Sequence, residues 1–259
     1  PVIVFSVTLG AAVGTLAPEP RARIVGLMDA FVSALITLVG WIMLLAPIGV
    51  ACLAAPVAAR FGWETIRSLG VFVLTVVIGT TLFAVVVYGT LARWRARVPL
   101  APFARAITPG VAVAFTTGTS MAALPAMMDT ALNKLKISKA IAGFVLPLGA
   151  TLNHPGSCLY QMASVVTVAS LYGVHLGPAP YGAAIITSLL MTFSVAAIPS
   201  ASVFTTAPVL LAAGLPAEAI GLLLGVDRIP DMFRTGLHAV SHQTLAAVVA
   251  RAEGEEIDL

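Results

Sequence analysis

Residues 138–171 read SKAIAGFVLPLGATLNHPGSCLYQMASVVTVASL, an apolar stretch of membrane-crossing length that is broken in its middle by Asn153-His154-Pro155-Gly156. A helix of about 20 apolar residues spans a bilayer core. Here Pro155 has no N–H to donate and Gly156 loosens the turn, so backbone carbonyls near Asn153 lose their helical donors. Such carbonyls are natural cation ligands, and a proline kink is the plainer alternative. A second apolar segment, Ala183 to Ala213, is interrupted in the same way at Ala197-Ile198-Pro199-Ser200.

The rest of the chain fits a lipid environment. Of its 259 residues 59% are hydrophobic and only 10% charged, and the mean hydropathy is +1.02, so polar groups cannot cover a water-soluble globule. Continuous aliphatic runs, rather than period-two alternation, select helices over a barrel. The net charge of +3 is modest and its basic residues sit in short loops, which implies no nucleic-acid partner. Cys52 and Cys158 lie far apart beside apolar sequence and read as small buried side chains. The chain opens at Pro1 inside an apolar run that continues to Leu16, and it reads as a fragment lacking earlier spans.

Seven apolar segments follow one another: Pro1 to Leu16, Ile24 to Ala54, Ser68 to Leu91, Val111 to Asn133, Ala140 to Leu171, Ala183 to Ala213 and Ala219 to Val249. Seven crossings would place the loop of Arg93, Arg95, Arg97 and Arg105 opposite the loop of Lys134, Lys136 and Lys139, against the positive-inside rule. A re-entrant hairpin over 111–133 puts both on one side. Its middle, Thr116-Thr117-Gly118-Thr119-Ser120, is polar where a plain span would be aliphatic. A second hairpin over 183–213 then leaves only Arg60 and Arg67 outside. The expected fold is an all-α integral membrane protein with two re-entrant helical hairpins, broken transmembrane helices and two hairpin-plus-span units of inverted orientation.

On the last helix Asp227, Asp231, Arg234, His238 and His242 fall at offsets of 0, 4, 7, 11 and 15, within roughly a 90° sector at 100° per residue. Ionisable groups at membrane depth cost several kcal/mol unless paired or facing a wet cavity, so this stripe is a candidate functional site. The bland alternative is an Asp231–Arg234 pair that only holds helices together. Arg234 would still keep donors for a carboxylate, which suits a planar guanidinium. The spacing of His238 and His242 also matches two metal ligands on one face, but no Glu follows the first His as a zinc hydrolase would need. They read first as proton carriers.

Three stretches carry a resemblance: Leu146-Pro-Leu-Gly-Ala-Thr-Leu-Asn153 running on to Tyr160-Gln161, Ala46-Pro-Ile-Gly49, and Gly225-Val-Asp227-Arg-Ile-Pro-Asp231-Met-Phe-Arg234-Thr235. With them the chain resembles the dicarboxylate/amino acid:cation symporter family, the group of the archaeal aspartate and excitatory amino acid transporters. The resemblance implies an inverted-repeat transporter in the inner membrane, working as a homotrimer of elevator-type carriers. It divides the chain into a partial scaffold over 1–105, a transport domain over 106–251 and a cytoplasmic tail over 252–259. The scaffold part would hold the end of the fourth span with the fifth and sixth. The transport domain would hold hairpin 111–133, broken span 140–171, hairpin 183–213 and final span 219–250.

By the same resemblance Thr119, Ser120, Ile198, Pro199 and Ser200 at the two tips would contact substrate, as would Ser157, Asp231, Arg234, Thr235 and His238. Asp231 would take the amino group and Arg234 the side-chain carboxylate. Gly149, Asn153 and Asp227 remain from the cation sites. The chain departs from the family where Pro155 and His242 replace carboxylates, and an imidazole offers sodium no oxygen. The reading is therefore a symporter for an acidic amino acid or dicarboxylate, not an enzyme, needing no cofactor and coupled to protons through His238 or His242, to sodium, or to no ion. The alternatives are a membrane sensor that binds without transporting and an intramembrane metal-binding protein. The implied partners are a small anionic solute, the bilayer and sister subunits.

Overall fold

The computed structural model describes residues 2–44, 46–195 and 198–257; the side chains of Cys52 and Arg60, and the whole of Ala197, lie outside the described residues. Two units divide the chain. In Pro1–Gly49, helices α1 (Val2–Gly14) and α2 (Pro18–Leu44) follow one another across a short turn. Helix α3 (Ala46–Phe83) continues without a break past Arg60 and Arg67, where the sequence suggested a loop. Ala58, Ala59, Arg60, Glu64 and Arg67 in that stretch are strong helix formers, so charge alone does not end the helix. Among the described residues one helical stretch, Thr65–Trp94, is long and apolar enough to cross a membrane. It includes a π-helical turn at Ala84–Tyr88 and the short α4 (Gly89–Trp94).

The remaining apolar segments fold as shorter helices, because the sequence interrupts each of them. Helix α5 (Leu100–Thr117) ends at Gly118, whose φ of 70° is a left-handed conformation that favours glycine. Thr119 then caps α6 (Ser120–Asp129), its hydroxyl accepting the N–H of Met121. The two helices fold back on each other across that two-residue tip. Helix α5 starts at Leu100 rather than near Val111, since Pro102 sits in its first turn and Pro109 is carried inside it. The expected boundary at 105–106 therefore falls within a helix.

Helix α7 (Lys139–Leu152) and helix α8 (Pro155–Leu171) are separated by Asn153 and His154, both non-helical. Pro155 at the first position of α8 disfavours helix for the residue before it and needs no N–H partner there. Helices α9 (Pro178–Thr192) and α10 (Ala201–Ala212) form the second helix–turn–helix pair. After the short α11 (Ile220–Leu224), α12 (Arg228–Ala252) packs against α5, α7 and α8. One apolar core joins Phe103, Met127, Leu146 and Ala246, and another joins Phe72, Tyr160, Val203 and Leu223.

Beyond α12 the tail returns to the start of α7, where Glu255 Oε2 accepts the Ser138 N–H at 2.9 Å. Hydrogen bonding from the Ser138 side chain and main chain holds the Glu255 carboxyl below the usual carboxylate range. A carboxyl lowered by folding contributes above its unfolded value and is lost as pH falls through the folded one. Glu255→Gln should therefore raise protease cleavage in residues 253–257 at neutral pH, and should make little difference in acid. Limited proteolysis of the two proteins across that range checks this.

Candidate functional site

All five stripe residues are buried: Asp227, Asp231, Arg234, His238 and His242 are each at most 4% exposed. Three of them form one charged cluster. Arg234 Nη2 donates to Asp231 Oδ1 at 2.5 Å, and its Nη1 and Nη2 reach the Asp227 carboxylate at 3.3 and 3.5 Å. The Tyr160 ring lies 4.4 Å below the guanidinium carbon. Burying an ion costs several kcal/mol, which these contacts offset only if retained together; the aromatic face adds about 2 kcal/mol when water is excluded. Two carboxylates and one guanidinium leave the cluster one charge negative.

The two helix tips close over this cluster. Ser200, at a φ of 59°, aims its N–H at Asp231 Oδ2 across 3.3 Å. Gly118 is packed so that an added Cβ would lie 2.7 Å from the same oxygen and 3.6 Å from Pro199 Cβ. Arg228, which the sequence reading left without a role, donates from Nη2 to the Thr116 carbonyl at 3.1 Å, while its Nη1 is buried without a protein acceptor. Beneath the tips, Thr119, Ser120, His154, Ile198, Ser202, Asp231, Arg234, Thr235 and His238 enclose a cavity of about 20 Å³. That is room for roughly one water. A groove of about 670 Å³ lies along α3 and α8, but it is mainly apolar and contains no buried charge.

Ser157 pairs with Ser202 Oγ at 2.7 Å, which joins α8 to α10 beside the cavity that Ser202 lines. Ser202, Arg228 and Tyr160 were missed by sequence reasoning. Arg228 had a signal, being a second arginine inside the apolar run, and Tyr160 stood in a stretch that carries the resemblance without a role assigned to it; Ser202 had none beyond its place near the tip.

A second cluster lies deeper along α12. His242 Nε2 faces the Asn153 carbonyl at 2.8 Å, so its N–H donates to the carbonyl that the helix break released. The Asn153 amide donates to Ser241 Oγ at 2.9 Å, and that hydroxyl donates to the His238 carbonyl at 2.8 Å. Gly149 lies against the imidazole, where an added Cβ would be 2.9 Å from His242 Cδ2. Thus Gly149 and Asn153 face an imidazole while Asp227 faces Arg234. His154 and His238 pack edge to face at 5.0 Å between ring centres, with His238 stacked 6.4 Å from His242. Among the described residues no group of three His, Cys, Asp or Glu side chains is placed to hold a metal.

Close approach at Gly156 sets the α8–α12 spacing, since an added Cβ would meet the Arg234 main-chain carbonyl at 2.7 Å and His238 Nε2 at 3.0 Å. Backbone cannot swing aside as a flexible side chain can. Gly156→Ala should destabilise the protein by about 1–3 kcal/mol, whereas Gly143→Ala, which meets open space, should not. Thermal unfolding of both variants measures the difference.

The sequence model described as the Sodium:dicarboxylate symporter family matches residues 1–252. The chain is 28% identical over 253 residues to the Proton/sodium-glutamate symport protein of Bacillus subtilis (strain 168), covering 98% of this chain and 58% of that protein. It is 29% identical over 253 residues to the Proton/glutamate-aspartate symporter of Escherichia coli (strain K12), covering 98% and 57%. With Excitatory amino acid transporter 3 of Mus musculus it shares 30% identity over 257 residues, covering 99% and 49%. The chain thus spans about half the length of the curated relatives it matches.

Proposed function

The chain belongs to the sodium:dicarboxylate symporter family, and we propose that it carries the transport core of a secondary carrier for an acidic amino acid. The family is one of transporters and not of enzymes. The observation that carries this reading is the buried Asp227–Arg234–Asp231 cluster beneath two apposed helix tips. An acidic amino acid has an ammonium for Asp231 and a carboxylate for Arg234; a plain dicarboxylate would leave Asp231 without a cation. Thr119, Ser120, Ile198, Thr235 and His238 line the space beside them, and Pro199 and Ser200 belong to the second tip. A cavity of about 20 Å³ cannot hold such a solute, so the tips must part to admit it. The names of the relatives, symporters of glutamate and aspartate among them, support the same solute class.

The proposed cycle moves a transport domain past a scaffold within a homotrimer of the bacterial inner membrane, the two hairpins re-entering from opposite sides. Its coupling ion is a proton, or there is none. In support, the imidazole of His242 donates to the Asn153 carbonyl where a cation would otherwise find an oxygen ligand, and Asp227 is engaged by Arg234. The titratable and charged groups around His242 include His238 on its own helix, His154 at the α7–α8 break and Tyr88, whose phenol reaches the Asn153 and Ser241 side chains, with Arg234 further along α12.

Uptake of labelled glutamate and aspartate into proteoliposomes, under an imposed proton gradient and separately under a sodium gradient, tests the proposal. Flux should follow the proton gradient or exchange without either; strict sodium dependence would overturn the coupling assignment, and binding without flux would favour a sensor. Arg234→Ala should lower affinity for the acidic solute by at least about a hundredfold, as expected for loss of a charged hydrogen-bonding pair. Unchanged affinity in equilibrium binding would contradict the site.

A further inference from the structure

Away from the charged cluster, the loop after α4 and the last turn of α12 enclose a cavity of about 340 Å³ whose walls include Trp94, Arg95, Arg97, Val248 and Arg251. Three arginines from two separate segments of the chain therefore line one cavity. Among the described residues none of the three forms an ion pair; Arg251 donates to a main-chain oxygen, that of Glu255, at 3.4 Å. Glu255 itself turns its carboxylate to Ser138. Like charges brought together without an acid repel unless an anion joins them.

Two further features bear on what that anion is. Arg97 holds a φ of 57°, a left-handed conformation costing a non-glycine residue about 1–2 kcal/mol, so the loop presents its arginine at a local cost. Trp94 is 75% exposed at the end of the Thr65–Trp94 span. Tryptophan at the end of a membrane-crossing helix sits at headgroup depth. Guanidiniums are suited to phosphate because their planar fork donates two parallel hydrogen bonds.

We propose that Arg95, Arg97 and Arg251 form a phosphate-binding site, with the headgroup of an anionic phospholipid as its ligand and Trp94 packed along the lipid. Basic pockets at the cytoplasmic surface of membrane helices recognise such headgroups, and the exposed Trp94 favours a lipid over a soluble phosphate. Because the pocket bridges the α4 loop and the end of α12, an occupant ties these two segments together. The site stands independently of the carrier's substrate.

The test uses the purified protein in phosphatidylcholine nanodiscs, with brominated phosphatidylglycerol as the probe and tryptophan quenching as the readout. Bromolipid at low mole fraction should quench the wild type. Most of that quenching should vanish in Trp94→Phe, and the lipid concentration for half-quenching should rise at least about tenfold in the Arg95→Gln/Arg97→Gln/Arg251→Gln variant. Arg105→Gln, a basic change outside the cavity, should behave as the wild type, and Arg251→Gln alone gives a milder variant should the triple one fail to fold. Inorganic phosphate at millimolar concentration separates the sources: displacement of the lipid by phosphate assigns a site open to soluble phosphate as well, and no displacement assigns a headgroup site. Equal quenching by brominated phosphatidylcholine, or an equal loss in Arg105→Gln, would overturn the proposal.

Discussion

A guanidinium buried at 1% exposure between two carboxylates is the constraint on which the rest of this structure depends. Such a group is tolerable only with its partners fixed, so the helix that carries it must be held from several directions. Helix α12 lies against α5, α7 and α8, Gly156 lets α8 approach its backbone, and Tyr160 covers the guanidinium face. Replacing both acids would leave the buried guanidinium uncompensated, at a cost of about 3–5 kcal/mol. The cluster is thus both a structural lock and the most polar place beneath the tips. Because its net charge is negative by one, an anionic solute gains little there until Arg234 exchanges a carboxylate of the protein for one of its own. Arg228, with one unpaired nitrogen beside Gly118, supplies positive charge at the mouth.

The broken α7–α8 segment shows how a local helix break creates an acceptor that a distant residue must meet. Pro155 ends helix formation and frees the Asn153 carbonyl, as it would in any membrane helix. What meets that carbonyl is decided 89 residues later, by the imidazole of His242. A covalently attached N–H donor satisfies the oxygen without an ion, and the Asn153–Ser241–His238 chain of hydrogen bonds fixes the geometry around it. An oxygen that the helix break leaves open is thus taken up by a donor of the protein itself.

Much of this was legible in the sequence because it depends on short-range rules. The 100° spacing of α12 placed five ionisable residues on one face, Pro155 marked the broken helix, and Gly118 marked a turn between two helices. What escaped was contact between distant segments and continuity of helix. Nothing local says that the Ser200 N–H reaches Asp231, that Ser157 pairs with Ser202, or that Arg228 reaches Thr116. Helix α5 began earlier than expected because prolines in a first turn or inside a long helix are accommodated. Helix α3 ran past Arg60 and Arg67 because charge does not break helices.

The central claim is that the apposed tips gate access to the Asp231–Arg234 pair. Cysteines at Thr119 and Ile198, two residues lining the same cavity, with Cys52 and Cys158 changed to serine, would allow the tips to be joined and released by oxidation and reduction. The account predicts that the oxidised protein fails to bind aspartate in equilibrium measurements and that reduction restores binding. Undiminished binding by protein shown to be fully cross-linked would contradict it.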